Sequence, residues 1–252
     1  MRTAEHGLGQ PYLGQRGLAT KYLAEEIDPR IDALAPENVL IMATGPLTGT
    51  AASTAGRYSV ITKSPLTGTV ACSNSGGFIG AEIKNAGWDM IIFEGRASSP
   101  VYLYLENERA ELLPADALWG KSVWDADAWL HDRHQDPLLR IATIGRSAEQ
   151  GCLFAGVIND LHRAAGRSGV GTVMASKNLK AVAVRGTRGV GNIDDPHGFH
   201  AGGRCRQESA GRRRGDLPGA ADLWHPGADE CHQRSRRHAD PQYARSAVRG
   251  GR

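Results

Sequence analysis

The apolar positions of this chain fall into short runs and helical stripes, punctuated by glycine and proline. Residues 17–27 (GLATKYLAEEI) put Leu18, Tyr22 and Leu23 on one face, which predicts a helix. Residues 39–42 are continuously apolar between Asn38 and a Gly-Pro turn, the pattern of a buried strand. Further strands are expected at 58–62, 90–93, 101–105, 140–144, 153–158 and 181–184. Helices are expected at 77–86, where Phe78, Ile79 and Ile83 share a side, at 122–134 on the surface, and at 172–179. The pattern is that of an α+β protein.

Two stretches between these elements carry chemistry. The first is residues 44–80, which contain PLTGT twice, at 46–50 and 65–69. Arg57 lies between the copies, and the small polar run Ser73, Asn74, Ser75, Gly76, Gly77 follows the second. One reading is a pair of similar hairpin turns, because Pro and Gly punctuate turns in any protein. The other is a cradle for a phosphorylated cofactor. Glycines and hydroxyls let the backbone approach a ligand, and an arginine offers a forked donor to an anionic oxygen. In that reading the run 74–77 caps the helix at 77–86 and presents free N–H groups to an anion.

The second stretch is residues 159–180 (NDLHRAAGRSGVGTVMASKNLK). Arg163 and Arg167 bracket Ala164, Ala165 and Gly166, and Gly169 and Gly171 lead into the helix expected at 172–179. A G-x-G before a helix is often only a tight turn. Two arginines and three glycines directly before a helix are a better phosphate signal, since donors and dipole converge. A structural loop remains the other reading.

Charge alters the picture only at the C-terminal end. Residues 201–252 hold eleven arginines, no lysine, six acids, and only Leu217, Leu223 and Val248 among Ile, Val, Leu, Met and Phe. That segment is +5, whereas residues 1–200, with 19 basic and 21 acidic groups, are −2. Cys72, Cys152, Cys205 and Cys231 show no C-x-x-C spacing, so they suggest neither a zinc site nor a disulfide framework. No apolar run approaches the roughly 20 residues of a membrane span, and the first residues lack a signal-peptide core. A cytoplasmic protein with reduced thiols and no membrane partner is expected.

Taken together, GPLTGT, GRYSVITKSPLTG, SNSGGFIGAEIK, GWDMIIFEG, NDLHRAAGRSGVG and SKNLKAVAVRG resemble the N-terminal domain of the aldehyde ferredoxin oxidoreductase family, over residues 12–199. The resemblance implies a base of mixed β-sheets with internal duplication and flanking helices, on which two pterin cofactors lie. These hold tungsten, in some members molybdenum, beside a 4Fe-4S cluster. It implies that Arg57, Ser75 and Gly76 serve one pterin's phosphate region and Arg163 the other's. Asn74 and Ala164 then offer oxygens to a magnesium ion bridging the phosphates, a hard-oxygen set that suits the ion. Gly166, Arg167, Gly169 and Gly171 are added from the residue pattern alone. None of these is a catalytic acid or base; they hold a cofactor that carries the redox chemistry. The partners implied are an aldehyde and ferredoxin or an electron-transfer subunit, and a homo-oligomer is compatible. Residues 1–11 do not resemble the family's opening stretch, and nothing matches its cluster cysteines or the residues beside its metal.

Residues 200–252 read as out of frame. Arginine-rich, lysine-free sequence without core residues is what a GC-rich gene yields in a wrong frame. Dropping one base from the back-translation of residues 201–213 permits PAVDAAKKALAD, and the same shift over 223–242 permits YGTPVLMNVINEVGGMPTRN, which resembles the family's next segment. The rival is a genuine basic arm for nucleic acid, with only Trp224 and Tyr243 to stack on bases.

Overall fold

The computed structural model describes residues 12–190, 193, 195–199 and 202. What was expected of residues 1–11 and of the segment after 202 lies outside the described residues. Packing divides the chain into two units, one comprising Met1–Gln10, Ala51–Ser53 and Gly191–Arg252, the other Pro11–Thr50 and Thr54–Val190. In the first, residues 196–199 are helical and the Asp195 carboxylate accepts the Gly198 N–H at 2.9 Å.

The second unit is built on two sheets. The smaller has the order β3-β2-β1-β4, from β1 (Leu40–Thr44), β2 (Tyr58–Lys63), β3 (Val70–Ser75) and β4 (Met90–Phe93), with every pair antiparallel. The larger draws on β5 (Val101–Glu106), β6 (Arg109–Pro114), β7 (Arg140–Thr143), β8 (Val157–Asn159), β9 (Arg163–Ala165) and β10 (Leu179–Arg185). Its order is β6-β5-β10-β7-β8-β9, and β10 runs parallel to β5 but antiparallel to β7. Among the described residues the unit also carries the helices α1 (Gln15–Glu26), α2 (Ile79–Asn85), α3 (Val123–His134), α4 (Arg146–Glu149) and α5 (Val170–Ser176).

Strand alternation explains how the layers stack. Along β1, Leu40 and Met42 enter a core shared with Val182 and Val184 of β10, Ile79 and Ile83 of α2, and Val173 and Met174 of α5. Val39, Ile41 and Ala43 face the opposite way, onto Ala19 and Leu23 of α1. Likewise Ala181 and Ala183 of β10 turn away from the shared core towards Ala126 and Leu130 of α3. The layers therefore run α1, small sheet, α2 with α5, large sheet, α3. Strands β1 and β10 read as unbroken apolar runs because both of their faces are covered.

The elements expected from the pattern are present, with shifted ends. The helix expected at 17–27 begins earlier, and that expected at 172–179 starts at Val170 and stops at Ser176, leaving Leu179 to open β10. The strand expected at 153–158 is only Val157–Asn159; Leu153 and Phe154 are exposed in the loop before it. Strands β3, β6 and β9 and the one-turn helix α4 were not expected. The first PLTGT lies in the β1–β2 connection and the second closes the β2–β3 hairpin, where Ser64 N–H bonds Thr69 O at 2.8 Å. In each copy the glycine is left-handed, Gly49 at φ +80° and Gly68 at φ +68°. The β2–β3 register pairs Tyr58 with Ser75 and Lys63 with Val70, so the second PLTGT sits at the far end of the sheet from Arg57. Among the described residues no helix is long and apolar enough to cross a membrane.

Two buried lysines knit the layers. Lys180 pairs with Glu149, both almost fully buried, and also bonds Lys121 O at 3.0 Å. Lys177 has no carboxylate partner among the described ion pairs; it donates to the carbonyls of Pro36 (3.3 Å), Gly95 (2.9 Å) and Asn38. Burial, with the Arg96 charge second, pushes Lys177 down from 10.5 to about 8, against the pull of Glu94 and Glu37. Its folded pKa thus lies below its unfolded one. Between about pH 8 and 10.5 the unfolded chain holds a proton that the folded chain has released, and stability rises with pH across that window. Urea melts should show this group's rise, on the order of 3 kcal/mol, in the wild type. Lys177→Met should lack it, so the gap between the two chains should widen from pH 8 to pH 10.5.

Candidate anion-binding seam

Two edge strands, β3 of the small sheet and β9 of the large, lie side by side. Most of the residues expected to bind a cofactor sit along this seam. Arg57, just before β2, is exposed, and its Nη1 donates to Asn74 Oδ1 on β3. The register sets Asn74 opposite Ser59, and Asn74 Nδ2 donates to Ser59 Oγ at 3.3 Å. Gln15 Nε2 donates to the same hydroxyl at 3.0 Å, which ties α1 to the strand pair.

On the other side, Arg163 and Ala164 are exposed on β9, and Gly166 and Arg167 are exposed in the loop after it. The Arg167 N–H donates to Ser73 Oγ at 3.0 Å, one of the cross-links between the two edges. Among the described ion pairs none includes Arg57, Arg163 or Arg167. Three guanidinium groups on one seam form a set of donors suited to phosphate oxygens.

The residue that closes the seam is Asn159, which the sequence reading passed over. It is fully buried at the end of β8. Its Oδ1 accepts from Ser75 Oγ (2.7 Å) and from Tyr58 OH (3.2 Å). Its Nδ2 donates to Gly76 O (2.9 Å) and to Asp160 Oδ2 (2.8 Å). The amide orientation is unambiguous, since a carbonyl and a carboxylate can only accept. Burial, with the Asp160 charge second, pushes the Tyr58 phenol well above its ordinary range, so it remains a donor. Asp160 and Leu161 turn the chain with φ of 48° and 57°, and the one hint in the sequence was the Asn-Asp pair, residue types that suit such turns.

Asp160 also changes the reading of α2. The start of that helix was expected to bind an external anion. In the structure the Phe78 N–H donates to Asp160 Oδ2 at 2.8 Å, so the chain's own carboxylate stands there. Nor does the run Asn74–Gly77 form a helix cap: Asn74 and Ser75 end β3, and the N-cap is Phe78.

The glycines separate into two kinds. Gly77 has φ +92°, and an added Cβ would lie 2.2 Å from Asp160 Oδ2 and 3.1 Å from Arg163 Cγ. Gly169 and Gly171 are buried away from the exposed seam: a Cβ on either would run into Leu153 O (2.0 Å) or Gly156 O (2.3 Å). The Gly171 N–H is bonded to Ala155 O at 2.9 Å. These two let the 153–156 backbone pack against α5. Gly76 and Gly166 differ, because neither has positive φ; a Cβ on Gly76 meets nothing within 4 Å, and one on Gly166 meets only Ala164 Cβ at 3.6 Å. Packing does not explain why these positions lack side chains, and both open onto the seam.

A family model described as aldehyde ferredoxin oxidoreductase, N-terminal domain, matches residues 2–186. The chain belongs to the aldehyde ferredoxin oxidoreductase family. It is 53 % identical over 188 residues to the tungsten-containing aldehyde ferredoxin oxidoreductase of Pyrococcus horikoshii, covering 75 % of this chain and 31 % of that protein. With the Pyrococcus furiosus protein of the same name it shares 52 % over 183 residues, 73 % of this chain and 30 % of the other. An aliphatic sulfonate oxidoreductase, WOR-like subunit, from Pyrococcus furiosus is 36 % identical over 191 residues, covering 70 % and 30 %. Among solved structures, the active site complex BamBC of benzoyl coenzyme A reductase with 1,5-dienoyl-CoA superimposes with a TM-score of 0.83 at 32 % identity, over 89 % of this chain and 34 % of that one. The chain thus spans about a third of the length of the curated relatives it matches.

The contrast between the two kinds of glycine gives a direct test. Gly77→Ala combines a left-handed φ with a carboxylate clash and should cost about 1–3 kcal/mol or more in a urea melt. Gly76→Ala should leave unfolding within about 0.5 kcal/mol of the wild type.

Proposed function

We propose that this chain forms one wall of a pterin site that holds tungsten, or molybdenum, in an oxidoreductase converting aldehydes to carboxylic acids. The observation that carries the reading is the seam itself: three arginines that enter none of the described ion pairs, beside two glycines whose missing side chains packing does not explain. It supports the reading because a pterin pair brings phosphates to the protein, and several relatives of this chain are named tungsten-containing.

In this reading Arg57, the Ser75–Gly76 main chain and Gly76's open side take one phosphate region, and Arg163, with Arg167 beside it, takes the other. Asn74 Oδ1, which here accepts from Arg57 Nη1, and the Ala164 carbonyl would supply oxygens to a magnesium ion once Arg57 turns to phosphate. The fit is chemical: guanidinium forks suit phosphate, and an amide and a carbonyl oxygen suit a hard cation that keeps most of its other ligands as phosphate and water. When bound, the cofactor supplies the two-electron chemistry on the carbonyl carbon. The chain's own residues bind and orient; none of the seam groups is placed as a proton donor or acceptor. Electrons leaving through an iron–sulfur cluster to ferredoxin belong to the same proposal, as does the cytoplasmic setting.

A second reading keeps the cofactor and changes the substrate. It is supported by the spread of names among the proteins similar to this chain, which include an aliphatic sulfonate, a glyceraldehyde-3-phosphate and a benzoyl coenzyme A enzyme. For residues 200–252 we propose a shift of reading frame near His200, on the arginine-only basic composition and the family-like reading in the shifted frame. An unbroken frame on resequencing the gene across this point would overturn it.

The cofactor proposal is tested by anaerobic expression of the full chain with tungstate, followed by metal and pterin analysis. Bound pterin is expected in the wild type, and Arg57→Ala and Arg163→Ala should each lower occupancy about tenfold, the loss of one charge-assisted contact. Unchanged occupancy in both would contradict the assignment.

A further inference from the structure

We propose that Asn159 is a positioning residue for the cofactor: it pins the β3 end of the seam to the β8–β9 hairpin, and so sets Arg57 and Arg163 at one fixed separation. The inference rests on the cofactor reading above and concerns a residue that touches no ligand in it.

The Asn159 amide joins the two halves of the seam. Ser75 and Gly76 belong to the half of the seam that carries Arg57 and Asn74, while Asn159 is the β8 partner of Arg163. The bond from Ser75 Oγ spans 84 positions of sequence and that from Tyr58 OH spans 101. All four hydrogen-bonding positions of the carboxamide are filled, within a fully buried site. A satisfied buried amide resists displacement, because moving it leaves several polar groups without partners at once. Asp160 extends the pin: its Oδ2 takes both the Asn159 amide and the Phe78 N–H. The Arg163 stem lies against the site of Gly77, close enough that a Cβ there would sit 3.1 Å from Arg163 Cγ. At this end the halves of the seam are therefore held by one fully buried side chain, whereas Arg57 and Arg163 themselves are exposed and stand in no described ion pair.

Two phosphates of one bound assembly demand a defined spacing between their donors, and small misplacements of a binding group weaken it steeply. Loss of the pin should thus uncouple the two arginines without removing either.

The test uses the full chain, loaded anaerobically as above. Asn159→Asp is nearly isosteric and keeps the acceptor for Ser75 and Tyr58, but it loses the donor to Gly76 O and sets a carboxylate against Asp160. Pterin per folded chain is expected to fall at least tenfold, while Leu130→Ala, a core change beneath α3 on the far side of the large sheet, stays within twofold of the wild type despite its lower melting temperature. Should Asn159→Asp not accumulate folded, Tyr58→Phe carries the same test, removing one donor to Asn159 Oδ1, with about threefold loss expected. A readout that general destabilisation would not move is coupling. In the wild-type background the losses from Arg57→Ala and Arg163→Ala should combine non-additively, and in the Asn159→Asp or Tyr58→Phe background they should multiply as independent effects. Full occupancy in the pin variants, equal loss in Leu130→Ala, or unchanged coupling would overturn the proposal. A wild type that loads and responds to both arginine changes, with indifferent pin variants, refutes the pin alone. A wild type without pterin overturns the cofactor reading, and the pin with it.

Discussion

The carboxamide of Asn159 meets two hydroxyls with its oxygen and two acceptors with its nitrogen, and in doing so it joins two sheets whose cores are otherwise separate on their outer faces. Hydrophobic burial holds the layers together but does not fix how one sheet edge lines up against another, since apolar contact has no direction. Directional hydrogen bonds do that. The Ser73 hydroxyl with Arg167 N–H, and the Ser64 hydroxyl with Ser168 O at 2.9 Å, continue the same cross-linking away from Asn159. These polar links run along the seam, and Arg57, Arg163 and Arg167 are exposed at its rim.

Much of the fold was legible because burial on both faces leaves a strong mark. Strands β1 and β10 stand out as unbroken apolar runs for that reason. The strands that went unseen are edges. VACSNS in β3 and RAELLP in β6 each keep one face partly in water, so their composition resembles a loop. Strand β9 has only three residues, two of them exposed, and offers no period to detect. Both strands of the seam therefore belong to the class that pattern reading recognises least.

The site divides in a similar way. Arg57 and Arg163 were legible from charge beside small residues. Asn159 was not, because its role depends on bringing positions more than 80 residues apart into register, and a buried amide has no local signature. The glycines look alike in sequence, and only the space beyond the absent Cβ separates Gly171, closed by the Ala155–Gly156 backbone, from Gly76, where nothing lies within 4 Å.

The large sheet has one more consequence, for how the chain is made. Among the described residues strand β10 is the last in sequence, but it stands at the centre of the sheet, between β5 and β7. Until the ribosome has released residues 179–185, the β6–β5 hairpin and the β7–β8–β9 meander have no common partner. The fold therefore cannot close progressively as it is synthesised. It waits on a single late strand whose long-range pairings slow the search, and until then the apolar flanks of β5 and β7 remain available to other chains. The same insertion brings Lys180 to Glu149, so the arrival of one strand completes both the sheet and its buried ion pair.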